Sequence, residues 1–261
     1  YVYSFSDYDT PADLWVGFVD GSEPVRLTHA NPQIDELQLA EMRVIQWESH
    51  DGMMIEGLLH LPIGYEEGDM VPLILNIHGG PAGSFTNSFR ASYHIHAGLG
   101  YASLSPNVRG SSGYTDYLRE GNTFARDDGI GFGDFQDLMT GVDKVIADGI
   151  VDSTRMGVRG WSYGGILGGW TITQTDRFKA AMCCCGVTNA FSMYGTTDIP
   201  RFMEMYFGDD SPAGRRELYM ERSGLGHAAD ISTPTLILHG EEDERVPISQ
   251  SEELYAMLKS L

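Results

Sequence analysis

Gly157-Val158-Arg159-Gly160-Trp161-Ser162-Tyr163-Gly164-Gly165 is the stretch whose reading decides the fold. It contains G-x-S-x-G at residues 160–164. A serine hydroxyl attacks a carbonyl well only when it projects free of its neighbours and sits near a base. A sharp strand-to-helix turn provides that projection but crowds the backbone, and glycine on either side leaves room for it. The same turn sets the N–H of Tyr163 at a helix start, where it can donate to an oxyanion. The bare pattern is common by chance, so the flanks decide. Met156 and Val158 read as the end of a short strand, and residues 163–170 as a helix thin enough to pack closely on a sheet. A chance glycine-rich turn would need neither flank.

Working outward, residues 71–77 form a continuous apolar run, the mark of a central strand buried on both faces, and end in His78-Gly79-Gly80-Pro81. Residues 42–47 and 53–61 read as strands around the hairpin signal His50-Asp51-Gly52. Residues 87–97 are expected to be helical and residues 101–104 a strand. Residues 134–147 read as an amphipathic helix through Phe135, Leu138, Met139, Val142, Val145 and Ile146, with Gly149 as its stop. Strands follow at 180–187 and 234–238. A last helix has an expected capping box at Ser249 and Glu252 and an apolar face of Leu254, Met257, Leu258 and Leu261. Strands alternating with helices imply an α/β fold, a mostly parallel sheet with helices on both faces. Residues 1–36 differ. They hold short strand candidates at 1–5, 14–18 and 25–27 with a turn at Asp20-Gly21, too little to bury a core alone, and residues 28–32 read as a linker.

The formal net charge is −20, from Asp+Glu 37 against Lys+Arg 17. This argues against nucleic acid or an anionic membrane as partner. The apolar runs are too short to span a bilayer. The three cysteines are consecutive, Cys183-Cys184-Cys185, which is neither zinc-ligand nor disulfide spacing, so buried strand filler is the expected role. Their pattern suits a reducing, cytoplasmic compartment without establishing one. Nothing in the residues fixes the oligomeric state, and a homo-oligomer is compatible with them.

Other residues are placed to carry chemistry. Asp243 follows the strand at 234–238, in a loop where functional side chains gather, although Glu241, Glu242 and Glu244 compete with it on composition. At residues 78–81 glycine lets the backbone approach a ligand, and a free N–H there can be a second oxyanion donor. No histidine follows Asp243. His94 and His96 point to different helix faces, so they are not a metal pair; His239 and His227 read as structural or surface residues, and none of the eight histidines reads as a general base. Between serine and acid lie Tyr194, Phe202, Met203, Tyr206 and Phe207. They are expected either to line an apolar pocket over the mouth of the site or to pack a helix onto the core.

Taken together, these motifs resemble the prolyl oligopeptidase family of serine peptidases, and within it the dipeptidyl aminopeptidase/acylaminoacyl-peptidase branch. GWSYGG at 160–165 is similar to the family's nucleophile motif and HGGP at 78–81 to its oxyanion segment. NVRGSSGY at 107–114 and GDFQDL at 133–138 resemble intervening motifs, and TPTLILHGEEDERVP at 233–247 its acid loop. The resemblance implies an α/β-hydrolase fold with Ser162 as nucleophile, Asp243 as the acid that orients a histidine, and the N–H groups of Gly80 and Tyr163 as oxyanion hole. The family's histidine lies on a loop beyond the acid, after one more strand. Residues 1–36 are therefore expected to be the end of a β-propeller. Residues 37–261 are expected to be a catalytic domain truncated before its last strand and helix, and inactive alone. The implied function of the parent is hydrolysis of peptide bonds in short peptides through an acyl-enzyme, with no metal and no cofactor. Family preference tips Tyr194, Phe202, Met203, Tyr206 and Phe207 towards the pocket reading. A carboxylesterase-like hydrolase on the same fold and a non-catalytic interaction protein are the alternatives; intact Ser162, Asp243 and HGGP speak against the second.

Overall fold

The computed structural model describes residues 1–127, 129–208 and 210–261. Two sheets are present. The larger has seven strands: β4 (Met42–Glu48), β5 (Met54–His60), β6 (Val71–Ile77), β7 (Ala102–Asn107), β8 (Val151–Trp161), β9 (Ala180–Cys184) and β10 (Thr235–Leu238), in the order β10-β9-β8-β6-β7-β5-β4. β6 to β10 run parallel, and β5 and β4 extend the sheet antiparallel from β7. The apolar run at 71–77 occupies the middle position, as its composition requires.

β7 shows how the sheet is covered. All six of its residues are buried. Ala102 and Leu104 enter the main core, whereas Ser103 and Ser105 bond His96 and Tyr93 of helix α1 (Ala91–Gly98). Alternate residues face opposite sides of a sheet, so helices lie on both faces. The main-core face packs against α4 (Gly133–Ala147) through Leu138, Met139, Val142 and Val145, and against α5 (Tyr163–Gln174) through Ile166, Leu167 and Trp170. Short helices α2 (Asp116–Arg119), α3 (Phe124–Asp127), α6 (Ala190–Tyr194), α7 (Pro200–Phe207) and α8 (Pro212–Glu221) fill the connections, and α9 (Ser249–Ser260) follows β10.

Three expectations change. The strand expected over 180–187 stops at Cys184, because Cys185 takes a positive φ of 45° and turns the chain. β8 starts earlier than expected, at Val151, but residues 152–155 leave the ladder in a turn closed by the Asp152 carboxylate, so the continuous pairing with β6 begins at Met156. The capping box does not form. Ser251 and Glu252 give their N–H groups to the Ile248 carbonyl, so the donors that a Ser249 hydroxyl would cap are already satisfied; of the expected apolar face only Leu254 is buried.

The smaller sheet, β1 (Val2–Phe5), β2 (Asp13–Val16) and β3 (Val25–Arg26), is antiparallel. It docks beside α1 through three bonds: Tyr8 N–H to Asn87 Oδ1, Phe89 N–H to Ser6 Oγ, and His94 Nε2 to the Tyr8 carbonyl.

One buried ion pair joins the segment after β7, the β4–β5 hairpin and α4. Arg109 is 2% exposed and Asp137 fully buried. Asp137 accepts from Arg109 N, Nε and Nη2 at 2.8–3.0 Å and from Ser49 Oγ at 2.5 Å, while Asp51 and Asp127 take the remaining guanidinium face at 3.0 Å. Burial alone would lower the Arg109 pKa, but the hydrogen bonds and charge of Asp137 raise it overall. Removing one partner of such a pair strands the other charge. Asp137→Ala is expected to cost about 3–5 kcal/mol in urea unfolding, against no more than about 1 kcal/mol for Asp51→Ala, whose carboxylate is solvated. Equal losses would contradict this account.

Candidate active site

The site begins with register. β6 and β8 pair so that Ile77 lies opposite Gly160, which brings the segment after β6 against the turn after β8. That turn is the expected one. Ser162 adopts φ 59° and ψ −119° between the end of β8 and the start of α5. A non-glycine residue held there is strained and persists only when its surroundings over-determine it. They do: Ser162 N–H bonds the Cys184 carbonyl at 2.9 Å, and its own carbonyl accepts from Ile166 N–H at 2.9 Å. The glycines are required by close approach. A Cβ on Gly160 would stand 2.0 Å from the Gly164 carbonyl oxygen, and one on Gly164 2.2 Å from the Ile77 carbonyl oxygen.

The segment at 78–81 lies against this turn. A Cβ placed on Gly79 would be 3.6 Å from Ser162 Cβ, and Gly80 takes a φ of 136° open to glycine. Tyr163, as first residue of α5, has no intrahelical acceptor for its N–H. Neither this N–H nor that of Gly80 has an acceptor among the described residues.

Beneath the turn the Tyr163 phenol is fully buried. It donates to Asp134 Oδ2 at 2.8 Å and accepts from Asn122 Nδ2 at 3.2 Å. Asp134, also fully buried, accepts from the N–H groups of Gly131 and Phe135. Burial pushes its carboxyl up to about 6, and these hydrogen bonds only partly oppose that. Asp134 lies in the GDFQDL motif, but neither it nor Asn122 had a role in the reading of the residues; both belong to stretches far from Tyr163 in the chain.

Asp243 sits in the loop after β10 at the same sheet edge, two strands from the one that leads into Ser162, with β9 between. Its Oδ1 accepts from Arg245 N–H at 3.0 Å and Val246 N–H at 2.9 Å. Oδ2 faces His239 Nε2 at 3.7 Å and the Cys185 thiol, all within 4.8 Å of one another. Glu241, Glu242 and Glu244 are exposed, so among the four acids of the loop Asp243 alone is tied down. His239 is occupied by Ser251 Oγ and the Val246 carbonyl, and His78 by Ser111 Oγ and the Gly79 carbonyl; burial lowers the pKa of His78. Among the described residues no histidine hydrogen-bonds Ser162. All three cysteines are buried, and burial raises Cys183 to about 12 and Cys185 to about 11, so these thiols are inert at neutral pH.

A cavity of about 940 Å³ opens beside Gly80, between residues 80–83 and residues 198–202 with Met205 and Tyr206. Phe202 and Tyr206 line it, their ring centroids 4.7 Å apart. Met203 and Phe207 are buried in the core without lining the cavity, Tyr206 belongs to both, and Tyr194, outside the cavity, packs against the core and donates its hydroxyl to Glu204 Oε1. Helical spacing contains the signal for that division, since residues four apart share a face: 202 pairs with 206 and 203 with 207. Ile199, Pro200, Arg201 and Met205 also line it. Asp198 ties this wall to the acid loop through a two-point pair with Arg245, at 2.6 and 3.0 Å.

The family model described as the prolyl oligopeptidase family matches residues 87–261. The chain belongs to the prolyl oligopeptidase family. It is 37% identical over 263 residues to the uncharacterized peptidase YuxL of Bacillus subtilis, covering 100% of this chain and 39% of that protein. It superposes on an acylaminoacyl peptidase of Pyrococcus horikoshii with a TM-score of 0.89 and 30% identity, covering 100% of this chain and 41% of that one. A second structure, an acylaminoacyl peptidase in complex with Z-Gly-Gly-Phe-chloromethyl ketone, matches with the same score, identity and coverage. The chain thus spans about two fifths of the length of these relatives.

A carboxyl raised from 3.8 to about 6 in the fold binds its proton more tightly folded than unfolded. Its stabilising effect is therefore full below pH 4 and is lost as pH rises to about 6. Asp134→Asn removes that loss. Relative to the unsubstituted protein, the variant is expected to gain about 2–3 kcal/mol between pH 4 and pH 7 in urea unfolding. An identical pH dependence in both proteins would contradict the assignment.

Proposed function

We propose that residues 37–261 carry the nucleophile, the acid and the oxyanion donors of a serine peptidase that cleaves short peptides. We further propose that residues 1–36 are the end of a β-propeller. The observation that carries the first reading is Ser162, held at positive φ on a glycine-walled turn beside the Gly80 segment. The Ser162 hydroxyl attacks the substrate carbonyl carbon while its proton passes to a histidine base. The carbonyl oxygen, now negative, accepts from the N–H groups of Gly80 and Tyr163. Collapse expels the amine, which takes the proton from the histidine, and leaves an acyl-serine. Water then repeats the sequence and releases the acid. Asp243 orients the imidazole. Among the described residues no histidine hydrogen-bonds Ser162, so we assign the base to a residue beyond them, and activity to the protein that includes it.

The cavity beside Gly80 supports an apolar side chain on the attacked residue, and the phenylalanine-bearing inhibitor of the related acylaminoacyl peptidase supports the same preference. No helix among the described residues is long and apolar enough to cross a membrane, and the charge of −20 disfavours nucleic acid.

In the complete protein, a fluorophosphonate probe is expected to label Ser162 alone, and Ser162→Ala to abolish labelling and lower peptide hydrolysis by at least ~10³-fold. Full hydrolysis by the alanine variant would end this reading. Across peptides differing only at the attacked residue, kcat/KM is expected to favour Phe, Leu or Ala over Lys or Asp by about 1–3 kcal/mol. The reverse order would remove the cavity from that role.

A further inference from the structure

A second cavity, of about 760 Å³, adjoins the first and shares Ala82, Arg201, Met205 and Tyr206 with it. The charged groups around the two are mostly committed to one another. Glu120 pairs with Arg119 and Arg126, Glu204 accepts the Tyr194 hydroxyl, and Asp198 is held by Arg245. Arg201 is the exception. It borders both cavities, is exposed, and makes no hydrogen bond or ion pair among the described residues. The second cavity is lined by three arginines against two glutamates, in a chain whose net charge is −20. With the other charges paired, Arg201 is the cation of this wall left open to an anion.

We propose that Arg201 is a specificity-determining residue that binds a carboxylate of the peptide, while Phe202 and Tyr206 meet an apolar side chain of the same molecule. The proposal rests on the peptidase reading and adds to it a substrate class: short peptides that carry a negative charge near the cleaved bond. A guanidinium offers parallel N–H donors in the spacing of a carboxylate's two oxygens. The neighbouring side chains of Met205, Phe202 and Tyr206 reduce the water around the pair, which strengthens it. The carboxylate has two sources in a peptide, its C-terminus and an acidic side chain. A nearby lysine on the substrate would be repelled.

The test uses the complete protein carrying Ser162→Ala, which binds without turnover, with and without Arg201→Gln. Calorimetric titration compares one apolar peptide as free acid and as C-terminal amide, and that amide with Glu or Gln at one position. The charged member of at least one pair is expected to bind about 5-fold more tightly, the effect of a single partly solvated guanidinium–carboxylate pair. The advantage is expected to shrink with added salt and to vanish with Arg201→Gln, while the neutral peptides keep their affinity. A gain confined to the free acid identifies the C-terminus as the ligand; one confined to Glu identifies the side chain. Equal affinities within both pairs, an advantage that survives Arg201→Gln, or no binding of any peptide would overturn the proposal. Failure of the peptidase reading is separable, because it would show in the unsubstituted complete protein as no phosphonate labelling and no hydrolysis while the acid-to-amide ratio stood.

Discussion

The parallel pairing that sets Ile77 opposite Gly160 is the constraint on which the rest depends. It ends two central strands level at one sheet edge, so that the turn holding Ser162 and the segment holding Gly80 are built against each other. The helix leaving that turn must pass almost in contact with the strands, and glycines at 160 and 164 are the only residues that allow it. Slipping the register by one residue would drive side chains into backbone and separate the two loops. The strain at Ser162 is therefore held by the sheet itself.

Buried polar groups then fix the parts that the sheet does not reach. Arg109 and Asp137 tie the segment after β7 to α4 and to the β4–β5 hairpin. Asp134 and Asn122 hold the Tyr163 phenol from below. These groups are costly to bury and are tolerated because each has several partners. The two clusters share α4, whose N-terminal end supplies both carboxylates, so the helix that covers the sheet also steadies the residue expected to donate to the oxyanion.

Much of this is readable in the residues. The turn at Ser162 and the strand at 71–77 are local patterns with local causes, and so is the amphipathic helix at 134–147, which the structure begins at Gly133. From composition Asp243 stands little above its acidic neighbours, and the resemblance of residues 233–247 is what points to it; the folded loop adds that its carboxylate is the one held by backbone N–H groups. The side-chain partners of Asp134 and Arg109 lie far off in sequence and left no periodic trace. Helices α2, α3 and α6, with four or five residues each, are too short to announce themselves by spacing, and they form because packing supports them. The cavity joins residues 80–83 to residues 198–206, a contact that only the assembled sheet makes. Within α7 the division between Phe202 and Tyr206 on one side and Met203 and Phe207 on the other was available from helical spacing.

The most direct measurement is a crystal structure of the complete protein after reaction with a fluorophosphonate. The account predicts phosphorus bonded to Ser162 Oγ, with one phosphonyl oxygen about 2.7–3.1 Å from both the Gly80 and Tyr163 nitrogens, the distance an oxyanion donor pair must keep. An adduct on another residue, or a phosphonyl oxygen directed away from these two nitrogens, would contradict it.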